Sequence, residues 1–327
     1  MKGVVIKGSR NIFLIKSFDT NLYYECPIKG KILKCTQKYY NPLAPGDIVC
    51  FEQESPGKGM VTNVEQRRNF FTRFNRKGLL PQILASNIDR ILCVTTPAAP
   101  PFRPRFIDRV LLQAEAARIP AFLVMNKTDL IKSSCINQHG DKTERNTADH
   151  NNEIEERMAD YMRIGYKVMY VSAASGEGIN ELRSAIANTF SVFIGQSGVG
   201  KSSLINALFP NTQLKTGVLN EKYDRGNHTT VQSQMIEFKI LEDVFQIVDT
   251  PGVRQFVPDG VKTEHIMLYM KEFAPLAGKC GFGLSCSHRK EARCAILNAV
   301  ETGMIRPERY DSFLRIQSEL NALKDRK

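Results

Sequence analysis

Gly195-Gln196-Ser197-Gly198-Val199-Gly200-Lys201-Ser202 stands between an apolar run, Phe190–Ile194, and a helix-compatible run, Ser203–Leu208. The spacing is G-x-x-x-x-G-K-S in a strand–loop–helix setting, the pattern of a phosphate-binding loop. Glycines let such a loop wrap closely around phosphates, and its backbone N–H groups together with the helix N-terminus supply positive potential. Lys201 is expected to reach the β- and γ-phosphates and the Ser202 hydroxyl to hold Mg²⁺, with Ser203 beside it among the nucleotide-binding residues.

Downstream, Asp249-Thr250-Pro251-Gly252 closes an apolar strand, Val244–Val248. An Asp at a strand end beside a phosphate loop can hold Mg²⁺, and the Gly252 N–H can sense a γ-phosphate. Upstream, Asn126-Lys127-Thr128-Asp129 follows the strand Ala121–Met125, and Ser172-Ala173 ends the strand Lys167–Val171. A carboxylate such as Asp129 accepts hydrogen bonds from guanine N1–H and the exocyclic amine, a donor pair that adenine lacks. Lys127 can lie along the base, Asn126 can tie this turn to the phosphate loop, and an N–H at Ser172-Ala173 can meet guanine O6.

Around these motifs the chain alternates strand and helix from Ile88 onward, the pattern of an α/β sheet. Arg90–Thr95 reads as a buried strand, and Phe106, Ile107, Val110, Leu111, Ala114 and Ala117 recur at helical spacing. The first ~70 residues read instead as short strands separated by turn signals, with Val4–Ile6, Ile12–Ile15, Leu22–Cys26, Lys31–Cys35, Asp47–Phe51 and Gly59–Val64 suggesting a small closed barrel of the OB type. Eight Lys and Arg between Met1 and Pro45 face only Asp19 and Glu25, with Tyr23, Tyr24, Tyr39 and Tyr40 among them. Such a surface can neutralise phosphates and stack bases, although each tyrosine could equally be barrel core. A second basic stretch, Arg67 to Lys77, interleaves Phe70, Phe71 and Phe74 and reads as a link to the next domain, its phenylalanines packed. Lys132 to Glu153 is polar and without period, which predicts a mobile insertion with His139 and His150 solvated. Near the end, Pro307 is expected to open a helix carrying Tyr310, Phe313, Leu314 and Leu320 on or near one face.

Cys280-x5-Cys286-x-His288-x5-Cys294 offers three thiolates and one imidazole, a closed tetrahedral set suited to structural Zn²⁺. The other five of the eight cysteines have no ligand spacing, so a disulfide scaffold is excluded. Across the 327 residues, 45 Lys+Arg against 34 Asp+Glu leave a net charge of +11, which favours a polyanionic partner. Ordinary hydrophobic content excludes a wholly disordered chain, and no apolar run is long enough to cross a membrane as a helix. The expected compartment is the cytoplasm, with no membrane partner.

The Asn-Lys-Thr-Asp, Ser-Ala, phosphate-loop and Asp-Thr-Pro-Gly motifs are similar to the guanine-nucleotide motifs of the TRAFAC GTPases. Their order (G4-G5-G1-G2-G3, with the guanine-reading motifs first) resembles that of the circularly permuted members. Ala85-Ser86-Asn87-Ile88-Asp89, Arg225-Gly226-Asn227-His228-Thr229-Thr230, Asp249-Thr250-Pro251-Gly252-Val253-Arg254-Gln255-Phe256 and the cysteine cluster extend the likeness over nearly the whole chain. Together they resemble the ribosome small-subunit-dependent GTPase A family, RsgA or YjeQ. The departures are the long polar insert, Asn227 where a basic residue is more usual, and one extra residue in the zinc spacing.

The resemblance implies a multidomain chain with an OB-type barrel over 1–70, a circularly permuted α/β P-loop GTPase over 71–262, and a mostly α zinc domain over 263–327. It implies a monomer that hydrolyses GTP with Mg²⁺ while assisting late maturation of the small ribosomal subunit, bound to rRNA. Thr229 or Thr230 would sense Mg²⁺ and the γ-phosphate, Thr229 joining Ser202 and Asp249 on the metal. Ras-like enzymes orient the attacking water with a Gln directly after the Asp-x-x-Gly glycine, where this chain has Val253. The family likeness points to His228 for that task, with Gln255 a weaker candidate. The rival reading is a GTP-gated rRNA-binding module with incidental turnover.

Overall fold

The computed structural model describes residues 1–9, 11–28, 30, 38–75, 78–134, 142–210, 233–253 and 255–324. Five short strands, β1 (Lys2–Ser9), β2 (Ile12–Ser17), β3 (Tyr23–Pro27), β4 (Ile48–Ser55) and β5 (Lys58–Val64), close a barrel in the order β1-β2-β3-β5-β4. Alternation along each strand sends Val5, Phe13, Ile15, Tyr24, Val49, Phe51 and Val61 inward. The four tyrosines divide. Tyr24 is barrel core, stacked at a tilt 5.1 Å from Phe51, and Tyr39 meets the Phe70 ring edge at 5.9 Å. Tyr23 is half-buried against the main core, whereas Tyr40 is exposed. The expected strand Lys31–Cys35 lies outside the described residues.

The basic link is itself structured. Strands β6 (Phe70–Asn75) and β7 (Leu80–Ser86) form an antiparallel hairpin. Phe71 is fully buried, stacked 5.5 Å from Phe256, as its reading as packing required. Arg67 faces the protein rather than solvent. Its Nε and Nη2 donate to the two carboxylate oxygens of buried Asp47 at 2.6 and 2.7 Å, and Ser86 Oγ donates to the same carboxylate at 2.6 Å. A paired Asp can be this buried because every lone pair it offers is matched. The clasp fixes the barrel to the strand that enters the next unit.

That unit is a six-stranded sheet. Its strands are β8 (Arg90–Thr95), β9 (Ala121–Met125), β10 (Lys167–Tyr170), β11 (Phe190–Gly195), β12 (Gln234–Ile240) and β13 (Asp243–Asp249), ordered β10-β9-β8-β11-β13-β12. All pairings are parallel except β12 with β13. Counted from β11, which precedes the phosphate loop, the order becomes 2-3-1-4-5-6 read from the β12 edge. The strand before the phosphate loop therefore lies inside the sheet, although the chain enters the sheet at β8.

Helices cover both faces: α1 (Pro104–Ala116), α2 (Asp129–Ser134), α3 (Lys142–Arg163), α4 (Ile179–Ile186) and α5 (Lys201–Leu208). Helix α3 runs through much of the stretch expected to be a mobile insertion. Its buried Ile154, Met158 and Tyr161 follow helical spacing, but they begin only after that polar stretch ends. The side chains of His139 and His150 lie outside the described residues.

The C-terminal region has three 3-10 turns, then α6 (Ala295–Glu301) and α7 (Pro307–Lys324), which starts at Pro307 as expected. Its core packs Phe273, Phe313, Ile316 and Leu320 against Leu112 of α1. Arg309 of α7, 2% exposed, ion-pairs with Asp108 of α1 and with Glu272 at 2.5 Å, while Tyr161 donates to Asp108 at 2.5 Å. Breaking such a buried network costs about 3–5 kcal/mol, so it holds α7 to α1 and α3. Among the described residues no helix is long and apolar enough to cross a membrane.

Candidate nucleotide and metal sites

Loops at the carboxyl ends of β9, β10, β11 and β13 converge on one crevice, the usual ligand position in such sheets. The phosphate loop follows β11, and Lys201 opens α5. Its Nζ donates to the Gly195 and Gln196 carbonyls at 3.1 and 3.2 Å. Burial holds this ammonium below its ordinary value, and the charge of Asp249 works against that. Ser202 Oγ donates to Asp249 Oδ2 at 3.1 Å, so a hydroxyl and a carboxylate already share one point. That oxygen pair suits a hard cation such as Mg²⁺.

Gly252 rests on the loop, and a Cβ there would lie 2.6 Å from Ser197 Cα, so no larger residue fits. Val253 N–H donates to the Gly195 carbonyl at 3.2 Å, and its side chain is buried. Nothing in that side chain can orient a water.

The Asn126–Asp129 turn is pinned to this loop. Asn126 Nδ2 donates to the Val199 carbonyl at 2.9 Å, and its Oδ1 accepts from Ala173 N–H at 3.2 Å. Gly200 sits in the left-handed region at φ 86°, and a Cβ there would strike Asn126 Nδ2 at 2.6 Å. Glycine is required on both counts. Lys127 Nζ donates to the Gly198 carbonyl at 2.8 Å. Thr128 Oγ1 donates to the Val171 carbonyl at 3.1 Å, and Ser172 Oγ to Asp129 Oδ1 at 2.5 Å. Asn126, Lys127, Thr128, Asp129, Ser172 and Ala173 therefore surround one side of the phosphate loop, from Gly195 to Ser203, and Asp249 and Gly252 the other. His228, Thr229 and Thr230 lie outside the described residues. One contributor went unread in the sequence: the loop after β8, whose Ala99 carbonyl also accepts from Lys127 Nζ, at 2.6 Å.

Cys280, Cys286, His288 and Cys294 are all buried, their ligand atoms within 4.8 Å of one another. Tetrahedral zinc with bonds of ~2.3 Å to sulfur and ~2.0–2.1 Å to nitrogen requires S···S near ~3.8 Å and S···N near ~3.5 Å. Cys280 Sγ lies 3.9 Å from Cys294 Sγ, and both lie 3.5 Å from His288 Nδ1. The donor set fits Zn²⁺ in size and chemistry. Burial lowers the His288 pKa, which favours the neutral imidazole a metal needs, and raises the Cys286 thiol to about 12 in the absence of a cation.

Fold and crevice together define a circularly permuted P-loop GTPase. Residues 64–258 match the sequence model of the RsgA GTPase family. The small ribosomal subunit biogenesis GTPase RsgA of Borrelia garinii subsp. bavariensis is 38% identical over 321 residues, spanning 98% of this chain and 97% of that one. The crystal structure of YjeQ from Thermotoga maritima superposes with a TM-score of 0.67 at 27% identity, covering 98% of each chain. That of YloQ, described as a circularly permuted GTPase, gives 0.65 at 25% identity over 100% of this chain and 96% of that one. The chain belongs to the RsgA GTPase family.

Proposed function

We propose that this protein hydrolyses GTP to GDP and phosphate while bound to the small ribosomal subunit late in its maturation, and leaves after hydrolysis. The carrying observation is the pinning of the Asn126–Asp129 turn to the phosphate loop through the Val199 and Gly198 carbonyls. It sets a purine-reading carboxylate and a phosphate-binding lysine around one crevice. In this reading Asp129 reads the guanine edge, Ser172-Ala173 its O6, and Gly195 to Ser203 the phosphates. Ser202 and Asp249 would hold Mg²⁺, joined by Thr229, with Thr229 or Thr230 sensing the γ-phosphate. Bound Mg²⁺ neutralises charge developing on the transferred phosphoryl group.

His228 is assigned to orienting the attacking water, a role a neutral imidazole can fill near pH 7. Cys280, Cys286, His288 and Cys294 would hold one structural Zn²⁺. The barrel (1–70) and the zinc domain (263–327) would clamp rRNA on either side of the GTPase unit (71–262), in a cytoplasmic monomer. Because switch II (Asp249–Val257) leads directly into the C-terminal region, its order can reposition that region without a long relay.

The test is co-sedimentation with purified ribosomal subunits in GDP and in a non-hydrolysable GTP analogue. Binding to small subunits, stronger with the analogue, is expected together with turnover that those subunits raise. Equal binding to large subunits, or turnover that small subunits leave unchanged, would overturn the reading. The buried apolar Val253 favours one rival, a GTP-gated rRNA-binding module with incidental turnover. His228→Ala separates the two, since it removes ribosome-stimulated turnover only if His228 positions the water.

Asp129→Asn exchanges an acceptor for an amide that offers a donor toward guanine N1–H. Removing a charge-assisted hydrogen-bond pair is expected to weaken GDP about 30-fold and leave the weak binding of ADP unchanged. Competition against a fluorescent guanine nucleotide measures both.

A further inference from the structure

Strand β8 lies between β9 and β11, so the loop leaving it must emerge between the guanine turn and the phosphate loop. That loop, Thr96-Pro97-Ala98-Ala99-Pro100, contains none of the guanine-nucleotide motifs. Thr96 is 1% exposed, and its Oγ1 donates to the Pro100 carbonyl at 2.9 Å, closing the loop on itself. Ala99 adopts φ 51°, the left-handed region that an alanine seldom occupies. In that conformation its carbonyl accepts from Lys127 Nζ at 2.6 Å, opposite the Gly198 carbonyl at 2.8 Å. Lys127 is also left-handed, at φ 63°. Its ammonium thus joins the β8 loop to the phosphate loop. Its stem runs past Gly200, where a Cβ would lie 3.8 Å from Lys127 Cε.

We propose that the Thr96–Pro100 loop is a working part of the nucleotide site and that Thr96 is a positioning residue, setting the Ala99 carbonyl that aims Lys127 along the purine plane. This rests on the nucleotide reading of the crevice. Two Lys127 acceptors come from different loops, so the ammonium is held in place only while both carbonyls keep their positions. Thr96 closes the one that the phosphate loop does not itself control. Lys127 meets the face of the base rather than its edge. The effect therefore falls equally on any 6-oxopurine and leaves recognition of the 2-amino group to Asp129. It is also remote from the γ-phosphate, so it acts on binding of ground and transition states alike.

Thr96→Val keeps the shape and removes the hydroxyl; Thr96→Ser keeps the hydroxyl. For Thr96→Val, GDP and inosine diphosphate are each expected to bind about fivefold more weakly by the same factor. KM for GTP should rise to match, kcat and the melting temperature of the nucleotide-free protein should hold, and Thr96→Ser should restore wild-type values. Unchanged affinity in Thr96→Val overturns the inference, as does a serine variant as weak as the valine one. A fall in nucleotide-free melting temperature with affinities intact assigns Thr96 to the fold alone and also overturns it. Wild-type protein that binds neither nucleotide overturns the nucleotide reading itself, which the same titration shows before any variant is compared.

Discussion

Lys201→Ala is expected to lower GTP turnover by about 10²–10³-fold, the loss that follows removal of one preorganised charge from a developing oxyanion. The size follows from how the ammonium is kept. It is 7% exposed, its two hydrogen-bond acceptors are backbone carbonyls of its own loop, and Asp249 is the opposing charge. Its desolvation is therefore complete before any ligand arrives, and a polyphosphate meets a charge that needs no reorganisation. Burial places its folded-state pKa below the ordinary 10.5. Between those two values the unfolded chain binds more protons than the folded one, so nucleotide-free stability gains from this group as pH rises through that window. A bound polyphosphate opposes the shift by favouring the charged amine. Nucleotide binding should then take up a proton in the alkaline window, and GDP affinity should fall as pH rises through it. Calorimetry in two buffers of different ionisation heat measures the uptake, and Lys201→Ala should abolish it. Turnover in Lys201→Ala within a factor of three of wild type would remove the lysine from the phosphate site.

The parallel strands were legible because strands covered on both faces are continuous apolar runs. Arg90–Thr95 and Ala121–Met125 have in the structure the bounds read from sequence. The loop Gly195–Ser202 and the turn Asn126–Asp129 stood out by their fixed spacings, and the structure brings the two together. The Thr96–Pro100 loop was not, since its contribution is a backbone carbonyl whose aim depends on the φ of Ala99. The Arg67 clasp was not legible, because its partner Asp47 lies 20 residues earlier and nothing in the local sequence shows that carboxylate to be buried. The pairing of Phe70–Asn75 with Leu80–Ser86 was hidden because Thr72, Arg73, Asn75, Gln82 and Ser86 interrupt the apolar pattern, and an apolar partner, Phe256, is distant in sequence. Phe256 also meets Phe106 of α1 edge-on at 6.3 Å. Phe74 N–H donates to the Val257 carbonyl at 3.0 Å. The segment after Gly252 thus touches the hairpin beside the barrel and the helix that Arg309 binds. Such a junction exists only in three dimensions.

Stripping zinc with a chelator, or replacing Cys294 with Ser, is expected to loosen the region between Cys280 and Glu301 while leaving the nucleotide crevice intact. Helix α6 has 7 residues and the segments before it are 3-10 turns of 3 to 7 residues, all shorter than the ~12–15 residues an isolated helix needs. Cys280, Cys286 and Cys294 are buried in this core, so without a metal part of the core is thiol. Cys294 does double duty: its sulfur accepts from Leu297 N–H at 3.5 Å, capping α6. The loop it anchors is tied outward through Tyr310 and braced from within by Glu291. Tyr310 donates to the His288 carbonyl at 2.6 Å, and Glu291 accepts from Ser287 and Arg289 N–H, each at 2.8 Å. Hydrogen bonds from Ser287 and Arg289 hold the Glu291 carboxyl well below its ordinary range. Zinc-finger peptides draw about 10–16 kcal/mol from their metal; here α7 and α1 retain part of the core. A local loss of about 3 kcal/mol, read as about 10²-fold faster amide exchange over 280–301, is the expected result, with GDP affinity held within a factor of three. Elemental analysis should find one zinc per chain in the wild type and less in Cys294→Ser. Exchange rates that chelation leaves unchanged would show the four side chains to be core residues that need no ion.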